Sequence, residues 1–231
     1  MKILGIVGGI GPESTIVYYR SIVERYRSTR QDGAHPRVII NSLDMKAMLD
    51  LIGAGRLEEL SESLLAEVEK LARAGATFGL LAANTPHIVF DDLARRSPIP
   101  LISIVEAARD AAKALGLKKA GLFGTRFTMQ GRFYPEVFSE EGIALVVPGE
   151  AEQAFIHEAY LSELVNGTFR SATRERMLAI ARRMKAEVGI QGLVLGGTEL
   201  PPLLPDDRYE GLPFLDTTRL HVERVVAVLL A

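Results

Sequence analysis

The stretch Gly79–His87, which reads GLLAANTPH, decides the predicted fold. A short apolar run that ends in small polar residues is typical of a buried parallel strand followed by a strand-to-helix loop. Gly192–Glu199, GLVLGGTE, repeats the glycine, the apolar run and the threonine at an offset of 113. Open α/β sheets place their ligands at loops of this kind, so the two stretches predict two ligand-binding loops.

The remaining chain alternates strands with helices. Lys119–Gly124 (KAGLFG) repeats Ile3–Gly8 (ILGIVG) at an offset of 116, and the two similar offsets indicate two similar halves. Alternation of this kind predicts a parallel sheet with right-handed crossovers in each half. We therefore predict an α/β protein of two pseudo-symmetric, flavodoxin-like domains with the active-site cleft between them. The other predicted strands are 37–41, 101–105, 144–147 and 213–215.

Composition narrows the possible partners. A net charge of −2 over 231 residues argues against a nucleic-acid or anionic-membrane surface. No apolar run reaches the roughly 18 residues of a membrane span, and the chain opens directly into a strand pattern, so we expect a cytoplasmic protein. Cysteine is absent, which excludes disulfides and thiol chemistry. The histidines lack metal-ligand spacing, so we expect no metal site; they are His35, His87, His157 and His221.

A glycine-rich segment follows the first strand and reads GGIGPEST over 8–15. The backbone N–H groups of Gly9 and Gly11, at a helix start, can bind a carboxylate or phosphate. The alternative is that these glycines only permit a tight turn. A dinucleotide fingerprint would need a glycine near Ser14, which argues against that ligand. Glu13 is a candidate to bind an α-ammonium group.

Further candidates lie after other predicted strands. Lys46, in a predicted loop over 42–48, is either a ligand contact or a solvated charge. His87 is a candidate for proton transfer or for orienting its loop. Glu199 is a candidate base or a helix cap. The remaining candidates carry hydroxyl or amide groups that can bind a carboxylate, cap a helix, or do both; they are Asn84, Thr85, Thr125, Thr128 and Thr198.

Four segments, in this order, resemble the aspartate/glutamate racemases that need no pyridoxal phosphate. The resemblance covers essentially the whole chain and implies two domains, 1–98 with 208–231 and 99–207, with the last helix returning to the first domain. It also implies a small acidic amino acid or related carboxylate bound between the domains, no cofactor, and a homodimer. The segments are Gly8–Thr15, Ala83–His87, Leu122–Thr128 and Gly196–Glu199.

The resemblance implies a chemistry that this chain lacks the groups to perform. Inversion of an α carbon needs a base on one face and an acid on the other. In the family, a cysteine after each of the two repeated strands supplies them. The matching positions here are Ala83 and Gly197, neither of which can carry a proton, and no other cysteine exists. Two-thiol racemisation is therefore excluded.

Three functions remain open. The first is a racemase-family enzyme with altered proton donors. The second is another reaction on the same scaffold, such as decarboxylation or isomerisation. The third is a catalytically silent carboxylate-binding sensor. Aspartate-preferring relatives are expected to use a basic residue within 160–167 or near 46, and only Lys46 provides one. Engineered replacement of the cysteines is a further alternative, although glycine is an unusual choice.

Overall fold

The structure is a computed structural model that describes residues 2–231. The chain forms two compact units, one made of residues up to Ile104 together with His221–Ala231, the other of Val105–Leu220. The predicted α/β class with two parallel sheets is confirmed.

The first unit contains a four-stranded, fully parallel sheet in the order β2-β1-β3-β4. Its strands are β1 (Leu4–Gly8), β2 (Val38–Ser42), β3 (Phe78–Leu81) and β4 (Leu101–Ile102). Its helices are α1 (Pro12–Arg30), α2 (Met45–Gly53), α3 (Leu57–Arg73) and α4 (Phe90–Arg96), with a 3₁₀ turn over Thr85–Val89.

Helix α3 illustrates why these elements form. Leu60, Leu64, Val68 and Leu71 recur at helical spacing and are all buried. Acidic residues occupy its first turn and basic residues its last, which complements the helix dipole. The core of this unit also includes residues near the chain's end, because Val222, Val225 and Val226 pack in one cluster with residues of β1, β3 and α1.

The second unit contains a five-stranded sheet in the order β6-β5-β7-β9-β8, parallel except for the β8–β9 pair. Its strands are β5 (Lys119–Gly124), β6 (Ala144–Val146), β7 (Leu193–Gly196), β8 (Arg208–Tyr209) and β9 (Leu212–Asp216). The remaining helices of the chain are α5 (Ile104–Ala114), α6 (Arg126–Gln130), α7 (Phe133–Ser139), α8 (Glu150–Ser162), α9 (Ser171–Arg183), α10 (Leu200–Leu203) and α11 (Thr217–Leu230). A 3₁₀ turn covers Leu164–Asn166, and a π turn covers Met184–Val188.

Strand pairing shifts the sequence repeat by one residue. Gly5 pairs with Gly79 in the first sheet, whereas its counterpart Gly121 pairs with Leu193 in the second. Leu193, not Gly192, is therefore the counterpart of Gly79, and the offset between β3 and β7 is 114. At this offset Ala83 corresponds to Gly197.

Some boundaries differ from those predicted. Residues 45–48, predicted as loop, begin α2, because the Asp44 side chain accepts a hydrogen bond from the Lys46 N–H and caps the helix. Strand β4 has two residues instead of five, since α5 begins at Ile104. The two compact units also differ from the predicted domain ranges. Residues 99–104 belong to the first unit, and residues 208–220 belong to the second, where strands β8 and β9 pair within the second sheet.

Candidate functional site

The first candidate loop follows β1. Gly9 has a φ of +75°, and a β carbon there would collide with the Leu43 backbone, so both conformation and space require glycine. The Gly9 N–H donates to the Thr15 hydroxyl at 2.8 Å and is thereby engaged inside the loop. Gly11, with a φ of +96°, precedes α1 as its N-cap residue. The tight-turn interpretation therefore accounts for Gly9, while Gly11 stands at the helix start.

The second loop follows β3, the strand beside β1. Asn84 and Thr85 are both buried there, with 4% and 9% of their surface exposed. The Ser14 hydroxyl of α1 donates to the Ala82 carbonyl at 2.6 Å and ties the two loops together. Gly9, Gly11, Asn84 and Thr85 thus lie at the carboxyl edge of two adjacent parallel strands, as the sequence predicts.

His87 is engaged by the backbone through both ring nitrogens. The Ile104 N–H donates to Nε2 at 3.3 Å, so Nδ1 carries the proton and donates to the Ala83 carbonyl at 3.0 Å. Burial, with the neighbouring His221 adding to it, lowers the pKa of His87 to about 3. A neutral imidazole with both nitrogens bonded orients the loop after β3, the second of the two roles considered for it.

Two charged candidates of the first unit face solvent. Lys46 lies in the first turn of α2 and forms an exposed ion pair with Asp50 at 2.6 Å. The Asp50 carboxylate raises the pKa of Lys46, which therefore remains cationic. Glu13 is exposed in the first turn of α1. Neither side chain is buried with Asn84 and Thr85.

In the second unit, Thr125 and Thr128 follow β5. Thr125 caps α6, since its hydroxyl accepts a hydrogen bond from the Thr128 N–H at 3.3 Å. Thr128 is fully buried, and β carbons placed at Gly124 and Gly196 would lie 2.9 and 3.1 Å from its side chain. Its side chain therefore fills the space between the ends of β5 and β7.

The loop after β7 contains a contact that the sequence did not predict. A β carbon at Gly197 would lie 2.5 Å from Cε2, 2.6 Å from the phenol oxygen and 2.9 Å from Cζ of Tyr160. Gly197 is not among the glycines with positive φ, so space and not backbone conformation requires glycine at this position. The Tyr160 ring of α8 occupies the place where a side chain at 197 would begin.

Tyr160 is bound to Glu199. Its phenol donates to Glu199 Oε2 in a very short hydrogen bond, and the Thr198 hydroxyl donates to the same oxygen at 2.7 Å. Glu199 is the N-cap residue of α10, yet its side chain makes no cap hydrogen bond. Burial, and then the Glu199 charge, raise the pKa of the Tyr160 phenol well above its usual value. Glu199 and Thr198 therefore hold a protonated phenol instead of capping a helix.

A second residue missed by the sequence interpretation is Thr218, two positions beyond β9. Its hydroxyl oxygen is buried and has no hydrogen-bond partner among the residues that the structure describes. Asp216 accepts from the Thr218 and Arg219 N–H groups and caps α11, so the cap does not use the Thr218 hydroxyl. A buried hydroxyl at the carboxyl edge of a sheet can contact a ligand.

Within residues 2–231, no group of three or more His, Asp or Glu side chains is arranged to hold a metal ion. The same residues contain no helix that is both long and apolar enough to span a bilayer.

Comparison with known proteins identifies the family. The sequence model of the Asp/Glu/Hydantoin racemase family matches residues 7–225. The broad specificity amino-acid racemase RacX of Bacillus subtilis is 24% identical over 168 residues, which cover 71% of this chain and 67% of that protein.

Two solved structures align with this chain over its full length and over their own full length. One, an aspartate racemase homologue from Pyrococcus horikoshii, is 31% identical with a TM-score of 0.85. The other, a candidate Asp/Glu racemase from Yersinia pestis, is 29% identical with a TM-score of 0.92. The two α/β units described above match the two-domain fold of these racemases. The chain belongs to the Asp/Glu/Hydantoin racemase family.

Proposed function

We propose that this protein binds a small carboxylate, such as an acidic amino acid or a dicarboxylate, through the carboxyl-edge loops of its two units, and that it does not racemise that ligand because it lacks the thiols. Family membership and the relatives named as amino-acid racemases support the ligand class. Hydroxyl and amide groups at these edges support it chemically, since they suit a carboxylate; they belong to Asn84, Thr85 and Thr218.

The exclusion of racemisation rests on one observation, the equivalence of Ala83 and Gly197. Ala83 is the second residue beyond β3 and Gly197 the first beyond β7, and pairing of β3 with β1 and of β7 with β5 relates the two positions. These are the two positions for which the family chemistry requires a thiol. A methyl group at one and a hydrogen at the other leave no thiol on either side, and the chain contains no cysteine elsewhere.

Titration calorimetry tests the ligand class. Both enantiomers of aspartate and glutamate, together with malonate, are the probes, and we expect one molecule of at least one probe to bind per chain. Thr218→Val should weaken binding about tenfold without lowering the free energy of unfolding, because the hydroxyl that it removes has no protein partner. Thr168→Val, at an exposed threonine of the same unit, is the matched control.

Exchange of the ligand's α-proton tests whether the protein racemises a bound amino acid. The protein is incubated with each amino acid in D₂O, and the α-proton signal is followed by NMR. We expect binding without loss of that signal. Failure of every probe to bind would contradict the ligand class, whereas α-proton exchange with inversion would contradict the exclusion of racemisation.

A further inference from the structure

A groove of about 480 Å³ lies on the second unit, lined by the start of α6 and by helix α8. Arg126, the first residue of α6, forms one side of it. The α8 side consists of residues that helical spacing places on one face of that helix, and these are Ala154, His157, Glu158, Leu161 and Ser162. The volume falls within the range of small-molecule sites.

The groove lies at the carboxyl edge of the second sheet, because α8 touches both loops there. His157 of α8 accepts a hydrogen bond at 3.2 Å from the N–H of Arg126, two residues beyond β5. Tyr160, one turn later, lies against Gly197, the first residue beyond β7. The groove therefore opens at the edge where the proposed function places the ligand.

Arg126 is the cation of this groove. No other described residue that lines it is a lysine or arginine, and burial, with the Arg126 charge, lowers the pKa of His157, so that imidazole is neutral at pH 7. Within residues 2–231 no carboxylate forms an ion pair with Arg126, whereas Arg174 and Arg183 of the same unit are both paired. An exposed guanidinium without a protein partner can form two parallel hydrogen bonds to a carboxylate.

The backbone at Arg126 is held in place. Its N–H donates to His157 Nδ1, and the Phe127 ring stands edge-on to the same imidazole, with 6.4 Å between the ring centroids. Thr125 caps α6 directly before it. The start of the side chain is therefore fixed, while the guanidinium stays available to a ligand.

We propose that Arg126 binds a second anionic group of the carboxylate ligand and so makes the protein prefer a doubly charged ligand to a singly charged one. This inference rests on the proposed function, which places a carboxylate at the same edge of the sheet. Arg126 is the specificity-determining residue, and His157 is a positioning residue that holds its backbone. Lys46 of the first unit is less suited to this role, because it already pairs with Asp50.

Matched pairs of ligands test the assignment. Titration calorimetry compares each diacid with the analogue in which one carboxylate is a neutral amide: aspartate with asparagine, glutamate with glutamine, and malonate with its monoamide. We expect the wild-type protein to bind at least one diacid about tenfold or more tightly than its amide. Arg126→Met should bind both members of that pair equally, with its affinity for the amide unchanged.

Control variants separate recognition from a merely structural role. Arg208→Met, at an exposed arginine of β8, should keep the wild-type preference. Glu158→Gln should tighten binding of the diacid about threefold, because it removes a like charge from the groove. His157→Asn, which keeps an oxygen near the place of Nδ1, should preserve the preference for the diacid, whereas His157→Leu should reduce it.

The outcomes distinguish this inference from the proposed function. Equal binding of diacid and amide by the wild-type protein, or a preference that survives Arg126→Met, would overturn the inference and leave the proposed function intact. Failure of every probe to bind would overturn the proposed function itself. Arg126→Lys, which keeps the charge without the planar fork, should retain part of the preference and gives a second measurement at the same position.

Discussion

The loops after β3 and β7 occupy the same place in their two sheets, yet they are built differently. Ala83 keeps a small side chain, and a neutral histidine fixes its carbonyl. Gly197 has no side chain, and Tyr160 of α8 fills the adjoining space. Both positions lack a thiol, and at the second the Tyr160 ring lies where a side chain would begin. The comparison shows that two equivalent positions that both lack a thiol can still differ in their surroundings.

The largest expected effect concerns restored thiols. The double variant Ala83→Cys with Gly197→Cys should not racemise aspartate or glutamate, because a side chain at 197 collides with Tyr160. Adding Tyr160→Ala opens the space, and racemisation followed by circular dichroism should then appear. Equal racemisation by the double and triple variants would show that Tyr160 does not block this position. Absence of racemisation from both, despite folded protein, would argue against an amino-acid ligand.

The second largest expected effect is a loss of stability at acidic pH, which arises from two buried histidines of the first unit. Burial lowers the pKa of His87 to about 3 and that of His221 to about 4. The unfolded chain takes up these protons below about pH 6.5, whereas the folded protein does not, so stability is complete above pH 6.5 and falls as the pH drops. We expect a loss of about 3 kcal/mol between pH 6.5 and 5 from the two groups.

Urea unfolding at several pH values measures this loss. His221→Gln should reduce the slope with pH to about half, because one of the two groups is gone. His35→Gln, at an exposed histidine, should keep the wild-type slope. Equal unfolding free energies at pH 6.5 and 5 in the wild type would contradict the account of the loop after β3.

A smaller effect concerns the hydroxyl groups that fix the two strand ends. Ser14 donates to the Ala82 carbonyl at 2.6 Å, and Thr217 donates to the Leu195 carbonyl at 2.8 Å. Ser14→Ala should cost about 1 kcal/mol of unfolding free energy. Thr217→Val should cost more, because its hydroxyl also interacts with the buried Tyr134 phenol. Chemical denaturation measures both, with the exposed Ser28→Ala as control; equal values for all three would contradict the comparison.

The sequence predicts the sheets well and the contacts of the site poorly. Strand β5 has the predicted bounds, since a continuous apolar run ending in glycine leaves few alternatives. Helix α2 was missed because it begins directly beyond β2, where Asp44 and Lys46 resemble loop residues. The repeat predicted from the sequence is shifted by one residue. It aligns Gly79 with the identical residue Gly192, whereas strand pairing aligns Gly79 with Leu193.

Tyr160 could not have been assigned from periodicity. It lies 37 positions before Gly197, and only the packing of α8 against the end of β7 brings the two together. In the structure, Gly197 lies where backbone conformation does not require glycine, which indicates that another side chain occupies the space. Which residue fills that space is decided by tertiary packing, which no single-sequence pattern encodes.

The most direct test of this account is a double-mutant cycle between Gly197 and Tyr160, read as free energies of unfolding. Gly197→Ala alone should destabilise the protein by about 1–3 kcal/mol through overpacking, whereas Gly53→Ala, in open space on α2, should not. In the Tyr160→Ala background the cost of Gly197→Ala should vanish, giving a coupling energy of about 1 kcal/mol or more. Additive effects, with the same cost in both backgrounds, would contradict the claim that Tyr160 occupies the place of a side chain at 197.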